Sequence, residues 1–248
     1  ASFAGLAFAG AAAARGLRVL VLERDAVPGG VVRTTGVLFS DVLDVLDVPA
    51  RFLMNSIRTL RIQAPTGKPI EIGGRAWRFY MADVTGMLGW MADRAREHGA
   101  QVRCATPFVD ATRGPDGRMR VTYGGPAEGE GGGATSRAPH GTATASILIG
   151  ADGARSLVAQ RTGLDQNTRY LAGAEWLVEG VDLDGETFYL VMDHALAPGY
   201  CLWLAPHGKI AALGVAGRQR EFKPNASLQA AQAIFADVAD LSNMRVRE

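Results

Sequence analysis

The first 23 residues limit the possible folds more than any other part of the sequence. Nine of the twelve residues at 4–15 are Ala or Gly, and the segment predicts a helix that ends at Gly16. Residues 17–23 (LRVLVLE) form a continuous apolar run that is typical of a buried parallel strand. A helix followed by such a strand is the αβ part of a βαβ unit, so we predict an α/β protein with a Rossmann-like domain.

The same segment carries part of a dinucleotide-binding fingerprint. In G-x-G-x-x-G the glycines let backbone N–H groups approach a pyrophosphate at the N-terminus of a helix. Gly5 fits the third glycine and Ser2 occupies the second position, but the first position is absent. An Ala-rich helix start is also common in ordinary packing. Glu23 favours the binding site, because it ends the strand where an acid would accept hydrogen bonds from an adenosine ribose. The alternative is a solvated Glu at a strand end.

A second motif follows another apolar run. Residues 145–150 (ASILIG) predict a strand, and residues 150–156 read GADGARS. Asp152 would then lie at the carboxyl end of a strand, where ligand clefts open in α/β folds, and Gly153 would allow a close backbone approach. The alternative is an ordinary Asp-Gly turn.

Together these segments resemble the flavoprotein family of para-hydroxybenzoate hydroxylase and geranylgeranyl reductase. The opening 24 residues, the helix and strand in DVTGMLGWMADRAREHGAQV, and GADGARS are similar to that family's motifs, over about residues 1–165. The resemblance implies an FAD cofactor. It also implies a set of cofactor-binding residues: Ser2, Gly5, Glu23, Arg24, Arg33, Phe108, Asp152 and Gly153.

The resemblance gives these residues separate positions along FAD. Gly5 would approach the pyrophosphate, and Glu23 would bind the adenosine ribose. Arg24 would lie beside the adenine, and the backbone at Phe108 or Val109 would border it. The segment from Arg33 to Gly36 would run near the flavin. Asp152 would help to hold the ribose and pyrophosphate.

Two departures from the family's pattern qualify the resemblance. The loop PGGVVRTTG lacks the cysteine that members of the reductase branch often carry, which puts a thiol mechanism in doubt. The family's third FAD motif, a Gly-Asp before a helix, is not found. We therefore expect a fragment that lacks both ends of the FAD-binding half.

The pattern changes after about residue 166. Four segments predict antiparallel strands and residues 227–240 predict a helix, so we expect an FAD-binding domain over 1–165 and an incomplete antiparallel-sheet substrate domain over 166–248. The segments 57–64 and 69–72, within the range 56–80, are expected to add strands to the substrate domain. The four predicted strands are 174–181, 186–193, 200–205 and 209–216.

Local patterns predict the remaining elements. Residues 83–98 form a clear amphipathic helix, and 41–54 predict a shorter one. Strands are expected near 100–104, 107–112 and 118–123. Residues 124–137 are of low complexity and predict a mobile hairpin tip.

The second half resembles the geranylgeranyl-reductase branch, through Tyr200, Trp203 and Pro206 followed by GKIAALGVAG. This favours an FAD-dependent reductase acting on an apolar organic substrate, with NAD(P)H as one candidate electron donor. The alternatives are an aromatic monooxygenase on the same scaffold and a non-catalytic flavin-binding remnant. We assign no catalytic side chain, because the flavin itself performs hydride transfer. Possible substrate-lining residues are Trp176, Leu177, Phe188, Tyr189, Leu190, Tyr200, Leu202 and Trp203.

Charge and cysteine content argue against several other classes of protein. Lys and Arg number 26 against 25 Asp and Glu, which leaves a formal charge of +1 and no strong field for nucleic acid or an anionic membrane. Cys104 and Cys201 are far apart, without zinc-ligand spacing, and fit a reducing cytosol. The apolar residues 1–14 are too few to span a bilayer and lack a signal peptide's charged front. We therefore expect a cytoplasmic protein that binds no metal and no nucleic acid.

Overall fold

A computed structural model describes residues 1–74, 77–126 and 135–247. Its helices are α1 (Phe3–Ala13), α2 (Ser40–Leu46), α3 (Val84–Glu97), α4 (Leu157–Thr162) and α5 (Pro224–Phe235), with a one-turn 3-10 helix at Ala50–Phe52. The strands are β1 (Leu20–Leu22), β2 (Val37–Phe39), β3 (Leu53–Ile57), β4 (Thr59–Gln63), β5 (Ile70–Gly73), β6 (Phe79–Ala82), β7 (Gln101–Arg103), β8 (Phe108–Arg113), β9 (Met119–Pro126), β10 (Thr135–Ala145), β11 (Leu171–Glu179), β12 (Thr187–Val191), β13 (Leu202–His207), β14 (Ile210–Arg218) and β15 (Arg245–Val246).

The chain divides into two compact units, each built from two separate segments. Unit 1 comprises Ala1–Arg33 and Val84–Thr168, and unit 2 comprises Thr34–Asp83 and Arg169–Glu248. Unit 1 carries the predicted cofactor residues. The names FAD-binding domain and substrate domain remain predictions for these units. The predicted fold class, a Rossmann-like α/β domain with a second antiparallel-sheet domain, is confirmed.

Unit 1 is built around small side chains. β1 and β7 pair in parallel, with Leu20 opposite Gln101 and Leu22 opposite Arg103. Helices α1 and α3 pack on this pair through one buried cluster, which confirms the predicted small-residue helix, strand and amphipathic helix. Alanines let helix and strand backbones approach closely, and this explains the composition of the first 15 residues. The cluster contains Ala9, Ala13, Ala95 and Ala100, flanked by Val19, Val21 and Val102.

A three-stranded antiparallel sheet, in the order β10–β9–β8, completes unit 1. Its core is a cluster of Ala111, Met119 and Val121, with Leu22, Phe108 and Leu148 packed against it. The predicted strands near 107–112 and 118–123 therefore exist as β8 and β9. Residues 127–134, most of the predicted hairpin tip, lie outside the described residues.

The predicted strand at 145–150 is wrong. β10 ends at Ala145, and no described strand pairs with residues 146–150. Only Leu148 turns into the core, whereas Ile147 is 74% exposed and Ile149 is 45% exposed. An apolar run becomes a strand only where a neighbouring strand can accept its hydrogen bonds, which the run itself does not reveal.

Unit 2 contains a seven-stranded sheet in the order β15–β11–β14–β13–β12–β4–β5. Neighbours are antiparallel except for β12 and β4, which pair in parallel. The four strands predicted after residue 170 are present, and β4 and β5 add the hairpin predicted at 57–72. The helix predicted at 227–240 is present as α5, which is twelve residues long and begins and ends earlier, at Pro224 and Phe235. It covers one face of the sheet, where the buried cluster includes Leu202, Leu204, Leu213, Val215, Leu228 and Phe235.

The other face of this sheet shares a second core with the three-stranded sheet β2–β6–β3. Alternation along the strands divides the predicted lining residues between the two faces. Phe188, Leu190 and Trp203 belong to this second core, whereas Trp176, Tyr189 and Leu202 belong to the α5 side. The second core consists of Ile57, Phe79, Met81, Phe188, Cys201, Trp203, Ala205 and Ala216.

The predicted helix at 41–54 is only partly correct. α2 ends at Leu46, and Asp47 takes a left-handed conformation with φ 50°. Pro49 lacks an N–H and disfavours helical geometry in the residue before it, so the helix cannot continue. The chain instead passes through the 3-10 turn into β3.

Candidate dinucleotide-binding site

The start of α1 offers donors to an anion. Ser2 is extended, with φ −125°, and its carbonyl accepts the Leu6 N–H at 2.9 Å. Its hydroxyl makes no capping hydrogen bond, and the first turn carries no acidic residue. The first N–H groups of a helix have no intrahelical partner, and the helix dipole favours negative charge there. This helix start therefore suits a pyrophosphate.

Gly5 brings the two predicted motifs together. A Cβ added to Gly5 would lie 3.3 Å from the Cβ of Ala151. That separation is tight for two carbon atoms, so the first turn of α1 approaches the GADGARS segment as closely as it does because residue 5 has no side chain. The two segments are therefore neighbours, as a shared binding site requires.

Glu23 lies just after β1 and is 8% exposed. Its N–H donates to the carbonyl of Arg103 at 2.8 Å, and its carbonyl accepts the N–H of Thr106 at 2.7 Å. Carboxylate Oε1 accepts the N–H of Asp25 at 2.7 Å, and Oε2 contacts the amino group of Ala1. The carboxylate is thus fixed at the carboxyl end of the parallel pair and faces the start of α1.

The loop after β7 holds this arrangement in place. Ala105 has φ 51°, a left-handed conformation that costs a residue with a side chain about 1–2 kcal/mol. In this conformation its N–H donates to the carbonyl of Asp25 at 2.8 Å. The Thr106 hydroxyl donates to the carbonyl of Cys104 at 2.8 Å and tightens the turn. The strained turn therefore ties the loop after β7 to the residues that carry Glu23.

Arg24 and Arg33 lie on either side of the Asp25 carboxylate. Arg24 Nε is 3.6 Å from Asp25 Oδ1, and Arg33 Nη1 is 3.6 Å from Asp25 Oδ2. Both arginine side chains are about half exposed, so these ion pairs add little stability. The structure does bring both predicted arginines to the segment that follows Glu23.

Phe108 begins β8, and its half-buried ring packs on the unit 1 core. Phe108 lies opposite Tyr123 and Asp110 lies opposite Thr122, so Val109 is an extra residue in the ladder. Such a bulge removes a residue from regular pairing. The predicted backbone contact at 108 or 109 thus falls where the register is interrupted.

The structure uses Asp152 as a helix cap. Asp152 Oδ1 accepts the Ser156 hydroxyl at 2.5 Å, and Oδ2 accepts the N–H groups of Leu157 and Val158 at 2.7 and 3.1 Å. Partial burial alone would raise the pKa of Asp152, but the Ser156 hydroxyl and these amides outweigh it and lower the pKa below its ordinary value. Gly153, with φ 88°, makes the sharp turn that aims the carboxylate back at α4.

Sequence reasoning missed Asp25, Ala105, Thr106 and the Ser156 hydroxyl. Ser156 has a recognisable signal, because Ser before a helix is a preferred N-cap, and its Oγ accepts the Ala159 N–H at 2.9 Å. The left-handed Ala105 has none, because alanine is not a residue that this conformation favours.

Within residues 1–74, 77–126 and 135–247, no group of three or more His, Cys, Asp or Glu is placed to hold a metal ion. In the same part of the chain, every helix is too short or too polar to cross a membrane.

Comparison with known proteins agrees with this geometry. Residues 1–62 match the family described as NAD(P)-binding Rossmann-like domain. Digeranylgeranylglycerophospholipid reductase 2 of Methanothermobacter thermautotrophicus is 28% identical over 215 residues, which cover 80% of this chain and 50% of that protein. Most of this chain is therefore similar to digeranylgeranylglycerophospholipid reductases. It spans about half the length of these curated relatives.

Solved structures support the fold. A geranylgeranyl bacteriochlorophyll reductase-like protein from Thermoplasma acidophilum superposes with a TM-score of 0.82 at 19% identity, covering 98% of this chain and 62% of that one. Aklavinone-11 hydroxylase, solved with FAD and aklavinone, gives a TM-score of 0.68 at 17% identity, covering 98% of this chain and 50% of that one. At these identities the two superpositions establish the fold that the geranylgeranyl reductases share with hydroxylases.

The residues of unit 1 fit the adenosine diphosphate part of a dinucleotide. The uncapped start of α1 provides amide donors, and the missing side chain of Gly5 allows a ligand to approach the backbone closely. Glu23 places a buried carboxylate beside them. An anion and a pair of ribose hydroxyls are the groups that such donors and such an acceptor recognise.

Proposed function

We propose that the protein is an FAD-dependent oxidoreductase that reduces a carbon–carbon double bond in an isoprenoid substrate. The observation that carries the proposal is the buried Glu23 carboxylate at the end of β1, facing an uncapped helix start. Kinship with reductases of geranylgeranyl groups supports the substrate class.

Each residue of the site has a role in this proposal. The amides that follow Ser2 bind the pyrophosphate, with Gly5 leaving room for it. Glu23 accepts hydrogen bonds from the ribose, and hydrogen bonds to a charged acceptor contribute about 1.5–3 kcal/mol each. Arg24 and the backbone at Phe108 border the adenine.

The GADGARS segment and the loop after β1 have less direct roles. Because its carboxylate is occupied by α4, Asp152 shapes the segment that lies beside Gly5, and it does so together with the Gly153 turn. Arg33 lies where the chain passes from the nucleotide toward the flavin.

The substrate class follows from unit 2 and from the relatives. FAD when bound supplies hydride transfer, and NAD(P)H is the electron donor that we propose. The protein's own task is to bind an apolar chain and to exclude water. The sheet face that carries Phe188, Leu190 and Trp203 offers apolar area for that purpose. These three side chains are apolar and include no Lys or Arg that could anchor an aromatic carboxylate, which favours a prenyl substrate over a phenol.

The test is to titrate the protein with FAD, reduce it anaerobically and add substrates that carry geranylgeranyl groups. A saturated prenyl product formed without oxygen is expected. Repeating the assay in air with simple phenols provides the contrast. Substrate-stimulated oxygen consumption with a hydroxylated product would establish the aromatic monooxygenase instead, and FAD binding without either reaction would establish a non-catalytic flavin-binding protein.

A further inference from the structure

Three residues form one row across three strands of unit 2. Gly214 on β14 lies opposite Glu175 on β11 and opposite Trp203 on β13. A Cβ added to Gly214 would overlap Cε2, Cζ2 and Nε1 of Trp203, so the indole lies flat across the backbone of β14. From there the Trp203 Nε1–H donates to Glu175 Oε2 at 2.7 Å. The glycine thus allows the indole to reach a carboxylate two strands away.

The adjacent rows on the same face carry mostly small side chains. One row contains Ala216 and Gly173, and the other contains Ala205, Ala212 and Leu177. On β11, Gly173 is exposed and Glu175 and Leu177 are only partly buried, whereas the positions on β13 and β14 are buried. The face is therefore most open along β11, beside the nitrogen edge of the indole.

Packing alone does not account for an acid at position 175. Burial raises the pKa of Glu175, and the hydrogen bond from Trp203 only partly offsets this effect. Among the described residues, no Lys, Arg or His forms an ion pair with this carboxyl group. A half-buried acid without an ionic partner is costly, and an apolar side chain of similar size would pack there at lower cost.

We propose that Glu175 is a positioning residue that fixes the plane of the Trp203 indole, and that the fixed indole edge borders the strip of β11 along which the substrate's isoprenoid chain lies. The role of the strip rests on the proposed function. Without the carboxylate acceptor, the buried indole N–H loses its partner and the ring leaves its position over Gly214.

Two variants separate positioning from simple packing. Glu175→Leu keeps the volume and removes the acceptor, whereas Glu175→Gln keeps an acceptor oxygen without the charge. Glu179→Gln is the matched control, because Glu179 lies on the same strand in an exposed pair with Arg247, 3.4 Å away. All three are compared with wild type by indole N–H NMR, with the Trp203 resonance assigned from Trp203→Phe, and by steady-state kinetics.

We expect Glu175→Leu to shift the Trp203 N–H resonance and to raise the KM for a prenyl substrate roughly fivefold, with kcat changed less than about twofold. Glu175→Gln restores KM to within about twofold, and the control leaves both readouts unchanged. An unshifted resonance in Glu175→Leu would overturn the positioning role. An equal loss in both Glu175 variants would also overturn it, because it would indicate a need for the charge.

A saturated twenty-carbon prenyl alcohol separates this inference from the proposed function, since its binding needs no turnover. A dissociation constant weakened by Glu175→Leu, in a protein that reduces nothing, would support the inference and contradict the reductase. Equal affinity in wild type and variant, or no binding to wild type, would overturn the role of the strip whatever the activity.

Discussion

Glu23 in unit 1 and Glu175 in unit 2 are both withdrawn from solvent, and they are held in different ways. The backbone N–H of Asp25 donates to the Glu23 carboxylate, and the backbone of Glu23 itself is held by Arg103 and Thr106. Glu175 relies on one indole N–H from a strand two positions away. A carboxylate fixed by backbone groups keeps its place when neighbouring side chains change, whereas one fixed by a single side chain depends on that partner. The first arrangement suits a constant cofactor, and the second suits an adjustable surface.

The largest expected effect separates ligand binding from stability at Glu23. Glu23→Ala should weaken FAD binding at least tenfold, since each factor of ten corresponds to about 1.4 kcal/mol. The free energy of unfolding should change little, because the hydrogen bonds of the Glu23 backbone remain. Isothermal titration calorimetry with FAD measures the first quantity and urea unfolding the second. Glu97→Ala, at the exposed end of α3, is the control. Unchanged FAD affinity in Glu23→Ala would contradict the proposed contact between Glu23 and the ribose.

The next effect compares two glycines. Gly214→Ala places a methyl group inside the Trp203 ring, so the indole must move, at a cost of about 1–3 kcal/mol in unfolding free energy. Gly5→Ala meets only the Ala151 methyl at 3.3 Å, so its effect on stability should stay below about 1 kcal/mol. Gly5→Ala should instead weaken FAD binding. Thermal unfolding and FAD titration of both variants test this contrast, and equal stability losses would contradict it.

A third effect concerns the pH dependence of stability. The pKa of Asp152 is lowered from 3.8, so its contribution to stability is present above 3.8 and is lost as pH falls through the folded-state pKa. The pKa of Glu175 is raised from 4.5, so its contribution is present below 4.5 and is lost as pH rises through the folded-state pKa. Relative to wild type, Asp152→Asn should therefore lose stability with rising pH, and Glu175→Gln should gain it. Urea unfolding from about pH 3 to about pH 7 measures both slopes. If the stability of both variants relative to wild type changed in the same direction with rising pH, one of the two pKa shifts would be contradicted.

The smallest effect concerns the strained turn beside Glu23. Ala105→Gly removes the cost of the left-handed conformation, about 1–2 kcal/mol, but adds chain entropy to the unfolded state, about 0.4–1 kcal/mol. The net change should be a stabilisation below about 1.5 kcal/mol, with FAD affinity retained. Ala105→Val should destabilise, because a β-branched residue tolerates a positive φ poorly. Destabilisation by glycine would show that the turn is not left-handed in solution.

The elements that were predicted correctly are those whose pattern is local. The Ala-rich α1, the amphipathic α3 and the alternating strands of unit 2 each follow from periodicity within one segment. The run at 145–150 failed because strand formation depends on a neighbour that the run does not specify. Asp152 shows the same limit within the site. Its position in the motif was recognisable, but the choice between cofactor and helix cap depends on where Ser156 and the amides of α4 lie.

The Glu175–Gly214–Trp203 row shows why side-chain partnerships are harder to predict. Glu175 and Trp203 are far apart in the sequence, and their contact needs both a register across β14 and a glycine at its centre. An aromatic strand and a Gly-rich strand were both recognisable in the sequence. Their alignment, residue against residue, is a property of the sheet alone.

The discontinuous build of both units has a consequence for how the protein reaches its native state during synthesis. β1 can pair with β7 only after 81 further residues have been synthesised, and the whole of Thr34–Asp83 is made in between. Within that intervening segment, β4 can pair with β12 only after the residues beyond 169 have been synthesised. Pairings this distant in sequence form slowly and leave apolar surface exposed meanwhile. A ribosome-bound chain halted before the second half of unit 2 would therefore hold β4 and β5 without the other five strands of their sheet. Such a nascent chain is a natural client for chaperones.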